Sequence, residues 1–543
     1  MFRRTSAQSS LFGIENILPE ILSSEDWCYI YRDQIYPIID EDKFKDLYDD
    51  DNGKGGRPNK SIKTEISILI FMGMEKLTWR EAEFQFSRRI DWMIATNTPL
   101  YGESIDHTTL FKFYCRLEKD ERIQKLFQEL TLKFAKACGT SLKKQRTDSF
   151  FIHGWLQILS RYGLFKETIR LFLQNLHKQK PGLYEKIAKE LSKDYIAKDF
   201  DLTEKDQEKA QRQVSLMADD MYLLYKTFIT HNQVKHYESF KTLITVFDQQ
   251  CERVEGVVGE KMEIVIRDKP EGEDIISTPH NTDARYCKKG KQTVCGSKGF
   301  ITESCEETNQ TQFITDVEVT PSTTADSKEL PHIQERLEGS AMKPEEQYGD
   351  AGFVNGQTIL DSQSNDILLE GPSSGRSQSF EAYNAEDRPL DVADFEIVIE
   401  EDELTVISCP EKQSPIDQSR SAKTEKILVH FDPAICSACH QKERCPVKIG
   451  TNVATLTLAE KSFAGASRHH KYMDDPEYRK KCAVRVGAEA MVSEIVRAHG
   501  VRKSRHRPDK RTRLQLIFAA IACNVKRFIR HGVEYGYVVP VKV

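Results

Sequence analysis

No apolar run in this 543-residue chain approaches the ~18–20 residues needed to cross a bilayer, so the sequence gives no reason to expect a membrane partner. The opening stretch Met1-Phe2-Arg3-Arg4-Thr5-Ser6 lacks the apolar centre of a signal peptide, which makes the cytoplasm the expected compartment. Without a secretory signal, thirteen cysteines do not argue for a disulfide framework, because cytosolic thiols stay reduced. Nine of them are scattered singly, and Cys115, Cys138 and Cys523, on apolar helical faces, read as small buried hydrophobes. No segment recurs at a fixed period, which argues against a repeat architecture.

What is present is a multidomain composition: 39% hydrophobic and 30% charged residues, in a length that predicts roughly three or four domains. The net charge of −6 conceals an asymmetry. Glu386 to Glu403 holds nine acids against Arg388 alone, whereas Arg485 to Arg530 holds twelve Lys or Arg against Glu489, Glu494 and Asp509. A basic segment on an acidic chain calls for a polyanionic partner or an acidic neighbour.

Near the N-terminus three helices follow one another. Ile62, Ile66, Leu69, Ile70 and Gly73 give a helical period, Thr78-Trp79-Arg80-Glu81 is a capping box, and Asp106 caps a helix carrying Leu110, Phe111, Phe113, Tyr114 and Leu117. Short helices joined by tight turns fit a helix-turn-helix-like DNA module or a plain bundle. Arg146-Thr147-Asp148-Ser149-Phe150-Phe151-Ile152 reads as a strand, and Trp155 to about Gln250 as helical, with the charged stretch 197–213 as a solvated face. Gly299–Glu303 and Gln312–Val319 alternate as paired strands do, and Lys328–Leu337 is a short helix. Asp350 then follows a short strand in Tyr348-Gly349-Asp350-Ala351-Gly352-Phe353. Residues 355–385 read as linker or loop, and strands return at Phe395–Ile399, Leu404–Ile407 and Ile427–Phe431.

The best delimited helix begins at the cap Asp475 with Pro476 in first position and ends before Gly500. Val484, Ala488, Met491 and Ile495 make its apolar stripe, and Arg485, Glu489, Ser493 and Arg497 line an adjacent face. Glu494 lies roughly 140° from Glu489 on the helical wheel, so the two acids cannot serve one site.

Carboxylates brought together from distant segments suit Mg²⁺, a hard cation that prefers oxygen. A pair of such ions activates the attacking oxygen and neutralises the leaving one in phosphoryl transfer. Separately, Cys436-Ser437-Ala438-Cys439, Cys445 and the upstream Cys409 are four thiols within a β-rich segment, as a closed structural Zn²⁺ site requires. The spacing is open to a redox pair or to unligated thiols as well, though no βαβ context surrounds it. His440 is an alternative ligand.

Taken as a series, Arg57-Pro58 before the helical run, Asp106-His107-Thr108-Thr109-Leu110, Thr147-Asp148-Ser149, Asp283-Ala284-Arg285, Asp350-Ala351-Gly352-Phe353 and Arg485-x-x-x-Glu489 resemble the DDE transposases of bacterial insertion sequences. Arg497, Gly500, Arg502, Arg505, Arg507, Lys510, Leu514-Gln515 and Asn524 extend the resemblance to about residue 530.

The resemblance implies an α/β fold: an RNase H-like mixed sheet flanked by helices, formed by 140–152, 275–370 and 470–535. It further implies a helical N-terminal domain over 1–130, a helical insertion over 153–270, and a β-rich cysteine-containing insertion over 371–469. Asp148, Asp350 and Glu489 take the places of the catalytic, Mg²⁺- or Mn²⁺-binding acids. Arg485, Arg497, Arg502, Arg505, Arg507 and Lys510 would contact DNA. The implied activity is cleavage at the element's terminal inverted repeats followed by strand transfer into target double-stranded DNA, by a nucleoid-associated homodimer. Cysteine clusters like this one occur in the same group.

The chain departs from the family's Tyr-x-x-Arg-x-x-x-Glu pattern at Cys482, and has Ala490 where Gly is common, Val496 where a basic residue is expected, and Cys295-Gly296-Ser297-Lys298 where Gly-Tyr-Lys is usual. These departures leave two other readings: an impaired transposase-derived DNA-binding protein, and a metal-dependent nuclease that never joins ends.

Overall fold

The computed structural model describes residues 2, 4 and 13–538, apart from 18–21, 24, 49–58, 101, 103, 119, 155–158, 198–200, 205, 255–262, 273, 290–291, 375–379, 401–402, 422–423, 425 and 507–508. Arg57-Pro58 and Arg507 therefore lie outside the described residues.

The chain is mixed α/β. Its N-terminal helices include α1 (Ile62–Glu75), α2 (Trp79–Phe86), α3 (His107–Leu117) and α4 (Arg122–Cys138). The capping box at Thr78 and Glu81 forms, and the Asp106 carboxylate accepts from the Thr108 and Thr109 amides, as the sequence predicts.

A six-stranded sheet follows, made of β1 (Lys144–His153), β2 (Arg285–Lys289), β3 (Gln292–Ser304), β4 (Ile314–Pro321), β5 (Glu346–Tyr348) and β6 (Leu368–Glu370). β1 lies antiparallel to β3 and parallel to β5, and β5 runs parallel to β6.

Alternation along β1 sorts its two faces. Phe150 and Ile152 join Ile301, Val317 and Val319 in a core shared with the N-terminal helices, α9 (Gly487–His499) and α10 (Asp509–Tyr535). On the other face, Phe300 packs with Leu330, Ile333 and Leu337 of α5 (Asp326–Gly339) and with Phe353 and Leu369. The N-terminal helices have no separate core. They and the sheet bury their apolar faces against the same long helix, α10.

The insertion after β1 is mainly helical but ends in a two-stranded antiparallel pair, Cys251–Val254 with Glu263–Ile266, and closes on its own core, with Phe165, Phe172, Met217, Phe228, Phe240 and Phe247 fully or nearly fully buried. The segment read as linker from residue 355 is instead structured at its start. Asn355 caps α6 (Gly356–Ser364), whose chain then turns into β6, an edge strand of the central sheet. Three residues of β6 are too few to show a period of two, which is why the segment reads as loop.

The second insertion contains a four-stranded sheet and a separate β-hairpin, Glu396–Glu400 with Glu403–Ser408. Its core of Phe395, Leu404, Val406, Ile427, Val429, Phe431, Leu456 and Leu458 is continuous with Cys409, Cys436 and Cys445. The chain returns through α7 (Glu460–Asp474) and α8 (Pro476–Cys482) to α9. Among the described residues no helix is long and apolar enough to cross a membrane.

α6 and α7 pack so closely that a Cβ on Gly356 would fall 1.6 Å from the Lys461 carbonyl oxygen. Backbone cannot yield as a side-chain tip can. Gly356→Ala should therefore cost about 3 kcal/mol in chemical denaturation and open α7 to limited proteolysis; an unchanged midpoint would show that this packing is not formed.

Candidate active site

Two parallel strands set the first two acids. Lys144, Gln145 and Arg146 of β1 stand opposite Glu346, Gln347 and Tyr348 of β5. Two steps further along both chains are Asp148 and Asp350, so the parallel register carries them to the same level of the sheet. β5 has ended by then. Asp350 sits in the turn that follows, where its Oδ1 accepts from the Gly352 amide at 2.7 Å and its carbonyl from the Phe353 and Val354 amides. Gly371, with φ +140°, stands so near that a Cβ there would lie 2.2 Å from the Gly349 carbonyl oxygen.

The electrostatics agree with the register. Burial first, then the charges of Asp350 and Asp326, push the Asp148 carboxyl up from 3.8 to about 6, against the lowering effects of the Ser149 amide and Arg485. The Ser149 amide donates to Asp148 Oδ1 at 2.7 Å.

Asp326, at the start of α5, is an acid that sequence reading passed over. Its Oδ2 lies 2.6 Å, and Asp350 Oδ1 2.9 Å, from the point where a Gly352 Cβ would be, so the two carboxylates share one small space. The Lys298 ammonium is 2.6 Å from Asp326 Oδ1 but off the hydrogen-bonding line, and it donates to the Thr324 carbonyl at 3.1 Å. The sequence signal for Asp326 is faint: one aspartate opening a short helix, with nothing local to separate it from an ordinary cap.

Glu489 lies in the first turn of α9 and is exposed. The single helix expected from Pro476 to His499 is divided in three: α8, a 3₁₀ turn over Ala483–Val486, and α9. The Asp475 cap, Pro476 in first position and left-handed Gly500 (φ 71°) at the end are as predicted. Arg485 falls within the 3₁₀ turn, so the four-residue ladder with Glu489 is not one continuous helical face.

The physical reason for the break is a charged side chain from the sheet. Arg146 donates to the Val484 carbonyl at 3.0 Å and lies directly against Gly487. Glu494 points elsewhere, paired with Arg527 at 2.6 Å.

Among the described residues, three sets of metal-capable side chains bring their donor atoms within 4.8 Å of one another: Glu494–His499–Cys523, Glu83–Asp106–His107 and Asp391–Asp394–His470. Neither Asp148, Asp350 and Glu489 nor the four cysteines form such a set. The first set is occupied by Arg527, the second by the start of α3, and the third by Arg388 with the turn it caps.

The basic residues divide by what already holds them. Arg497 and Lys510 are exposed, as is Arg502, which donates to the Phe151 carbonyl at 3.3 Å. Arg505 is exposed too, but it donates to the carbonyls of Leu77 and Lys76, and partial desolvation lowers its pKa. Arg505 thus braces the turn between α1 and α2.

All thirteen cysteines are free. Cys138 and Cys523 are buried as expected, and Cys115 is half-buried. Cys409, Cys436, Cys439 and Cys445 line one small cavity of the second insertion. Backbone amides of Gln413 and Gln441 donate to the sulfurs of Cys409 and Cys439, each at 3.4 Å. Burial, and then the neighbouring thiols, raise the pKa of Cys436. His440 is 75% exposed and directed to Glu411, outside the cavity lining.

Two family models match the chain: a Transposase domain (DUF772) over residues 30–116 and a Transposase DDE domain over residues 408–529. The chain belongs to the DDE-type transposases. The first match covers the N-terminal helices α1 to α3, and the second runs from Cys409 through Glu489 into α10, so Glu489 lies within it and the two aspartates do not. No curated protein and no solved structure matches. As a transposase the chain is a DNA-processing enzyme, and DNA is its partner.

The raised pKa of Asp148 fixes a stability test. Its ionised form is disfavoured in the fold, so destabilisation is present above about pH 6 and absent below 3.8. In metal-free protein at pH 7.5, Asp148→Asn should raise unfolding free energy by on the order of 1–3 kcal/mol. The gain should disappear by about pH 3.5; a pH-independent gain would contradict the electrostatic origin.

Proposed function

We propose that the transposase cleaves DNA at the ends of its own element and joins them to target DNA, with Asp148, Asp350 and Glu489 holding divalent metal in an RNase H-like core. The observation that carries this reading is the parallel β1–β5 register, which brings Asp148 level with Asp350 across 202 residues of sequence. The donor chemistry fits a hard cation: burial, and then the neighbouring acids, push the Asp148 carboxyl up to about 6, and a bound positive charge relieves both. Bound there, Mg²⁺ or Mn²⁺ would activate the attacking oxygen and neutralise the leaving oxygen of an in-line phosphoryl transfer.

The chain's own residues supply the setting. The Ser149 and Gly352 amides orient the two aspartates. Asp326, paired with Lys298, places a further carboxylate at the same site. Arg485, Arg497, Arg502 and Lys510, with Arg507, bind phosphates and orient the duplex beside the acids, an interaction that weakens as salt rises. Residues 1–130 add a second DNA contact, and the enzyme acts as a dimer because two element ends must be held together. The four cysteines hold a structural Zn²⁺ that fastens insertion 371–469, and the amide-to-sulfur bonds at Cys409 and Cys439 suit thiolates.

Incubation of the full chain with DNA carrying the gene's flanking sequence and Mg²⁺ or Mn²⁺ should give end cleavage and joined products. Asp350→Ala should lower cleavage by at least about a hundredfold. Equal cutting by wild type and variant would defeat the enzyme reading, and cutting without joining would favour a nuclease. Elemental analysis of the purified protein should find one zinc per chain, lost in Cys436→Ser/Cys439→Ser; a wild-type protein without zinc would remove that part of the proposal.

A further inference from the structure

The two aspartates are fixed by one sheet, but Glu489 arrives on a separate helix, and something must set its distance. Arg146 stands two residues before Asp148 on β1 and therefore on the same face of the strand. Its guanidinium is divided between two partners. Nε and Nη2 donate to Glu303 Oε1 at 2.9 and 2.5 Å, while Nη1 donates to the Val484 carbonyl at 3.0 Å.

Glu303 is nearly inaccessible, at 1% side-chain exposure, and its second oxygen accepts from Arg527 of α10 at 2.8 Å. The fork of Arg146 is thus anchored from behind by a buried carboxylate on the neighbouring strand β3. Its forward tip meets the chain at the entry to α9. The Val484 carbonyl also accepts the Gly487 amide in the 3₁₀ turn, so one oxygen ties the turn both to the sheet and to itself. At Gly487 the approach is so close that a Cβ would fall 1.8 Å from Arg146 Nη1. Glu489 follows two residues later.

We infer that Arg146 is a positioning residue: a strut, braced by Glu303 and fitted against Gly487, that sets Glu489 relative to Asp148. The inference rests on the reading of Asp148, Asp350 and Glu489 as metal-holding acids. Its partners are Glu303 and the backbone at Val484, so it acts on Glu489 through the chain. A lysine cannot replace it, because a single ammonium lacks the planar fork that reaches a carboxylate behind and a carbonyl ahead at once. Glu303 retains Arg527 when Arg146 is changed, so the fold keeps a counter-charge for the buried acid.

The test compares full-length wild type with Arg146→Lys, Arg146→Met and Gly487→Ala, each first checked for an unchanged circular dichroism spectrum. Mn²⁺ alone is titrated calorimetrically, and Mn²⁺-dependent cleavage of flanking-sequence DNA is measured in parallel, with Asp350→Ala as the reference for loss of the metal site. Arg146→Lys and Gly487→Ala should each weaken Mn²⁺ binding at least tenfold and raise the Mn²⁺ concentration for half-maximal cleavage by a similar factor, with the rate partly recovered at saturating metal. A merely structural residue would lower the folded fraction and leave the half-maximal concentration where it was. Folded Lys and Ala variants with wild-type Mn²⁺ affinity would overturn the role of Arg146 while leaving the triad intact. If wild type itself shows no Mn²⁺ binding that Asp350→Ala abolishes, the metal-site reading fails, and the strut with it.

Discussion

The parallel pairing of β1 with β5 is the constraint on which the rest of the site depends. Only three residue pairs are in register, Lys144–Glu346, Gln145–Gln347 and Arg146–Tyr348, yet they determine which residues leave the sheet at the same level. A slip of one residue would turn Asp148 to the opposite face, where Gln145 and Thr147 are buried. That opposite face holds the register with polar bonds. Gln347 Nε2 donates to Thr147 Oγ1, Gln334 Nε2 donates to Gln347 and to Ser362 Oγ, and Thr315 Oγ1 donates to Gln145. Buried polar groups satisfied only in one alignment penalise every other alignment.

A second network governs the side of the sheet that meets α9. Arg146, Glu303, Arg527 and Glu494 form a line of alternating charge from β1 through β3 and α10 to α9. Removing a partner from such a line leaves a charge in a dry environment, so the line holds strand and helices in one arrangement even where its net contribution to stability is small. Glu370 does the same for the segment before α9: Tyr478 donates to it at 2.6 Å, Lys481 at 2.9 Å, and Arg468 lies 3.0 Å away. The polypeptide that delivers Glu489 is therefore pinned to β6 and to β1 by buried carboxylates and carbonyls, while Glu489 itself is exposed.

The N-terminal helices take part in this arrangement. Arg505 donates to the carbonyls that end α1, Lys76 donates to the Arg497 carbonyl, and His499 Nδ1 lies 2.9 Å from the Gly73 oxygen. Arg497 and His499 at the end of α9, and Arg505 beyond it, are thus tied to the end of α1 and the turn that joins it to α2. The carbonyl partners of Arg505 make it a brace for this turn.

Local signals in the sequence were sufficient wherever the physics is local. The capping box at Thr78, the Asp106 and Asp475 caps, the Pro476 start, the Gly500 stop and the alternation of Gly299–Glu303 against Gln312–Val319 all depend on a few neighbouring residues, and all form as read. The transposase resemblance was legible for a similar reason, as an ordered series of short motifs. Two things were not legible. The strand Leu368–Glu370 is too short to show a period, and the break at Val484 is made by Arg146, 338 residues away, whose bond to a carbonyl competes with helical continuation. The sequence by itself determined which residues can cap, alternate and carry charge. Only the tertiary structure decided that Asp326 joins Asp148 and Asp350, that Glu494 turns away to Arg527, and that Arg505 serves a turn, because each of these is settled by a partner distant in the chain and near in space.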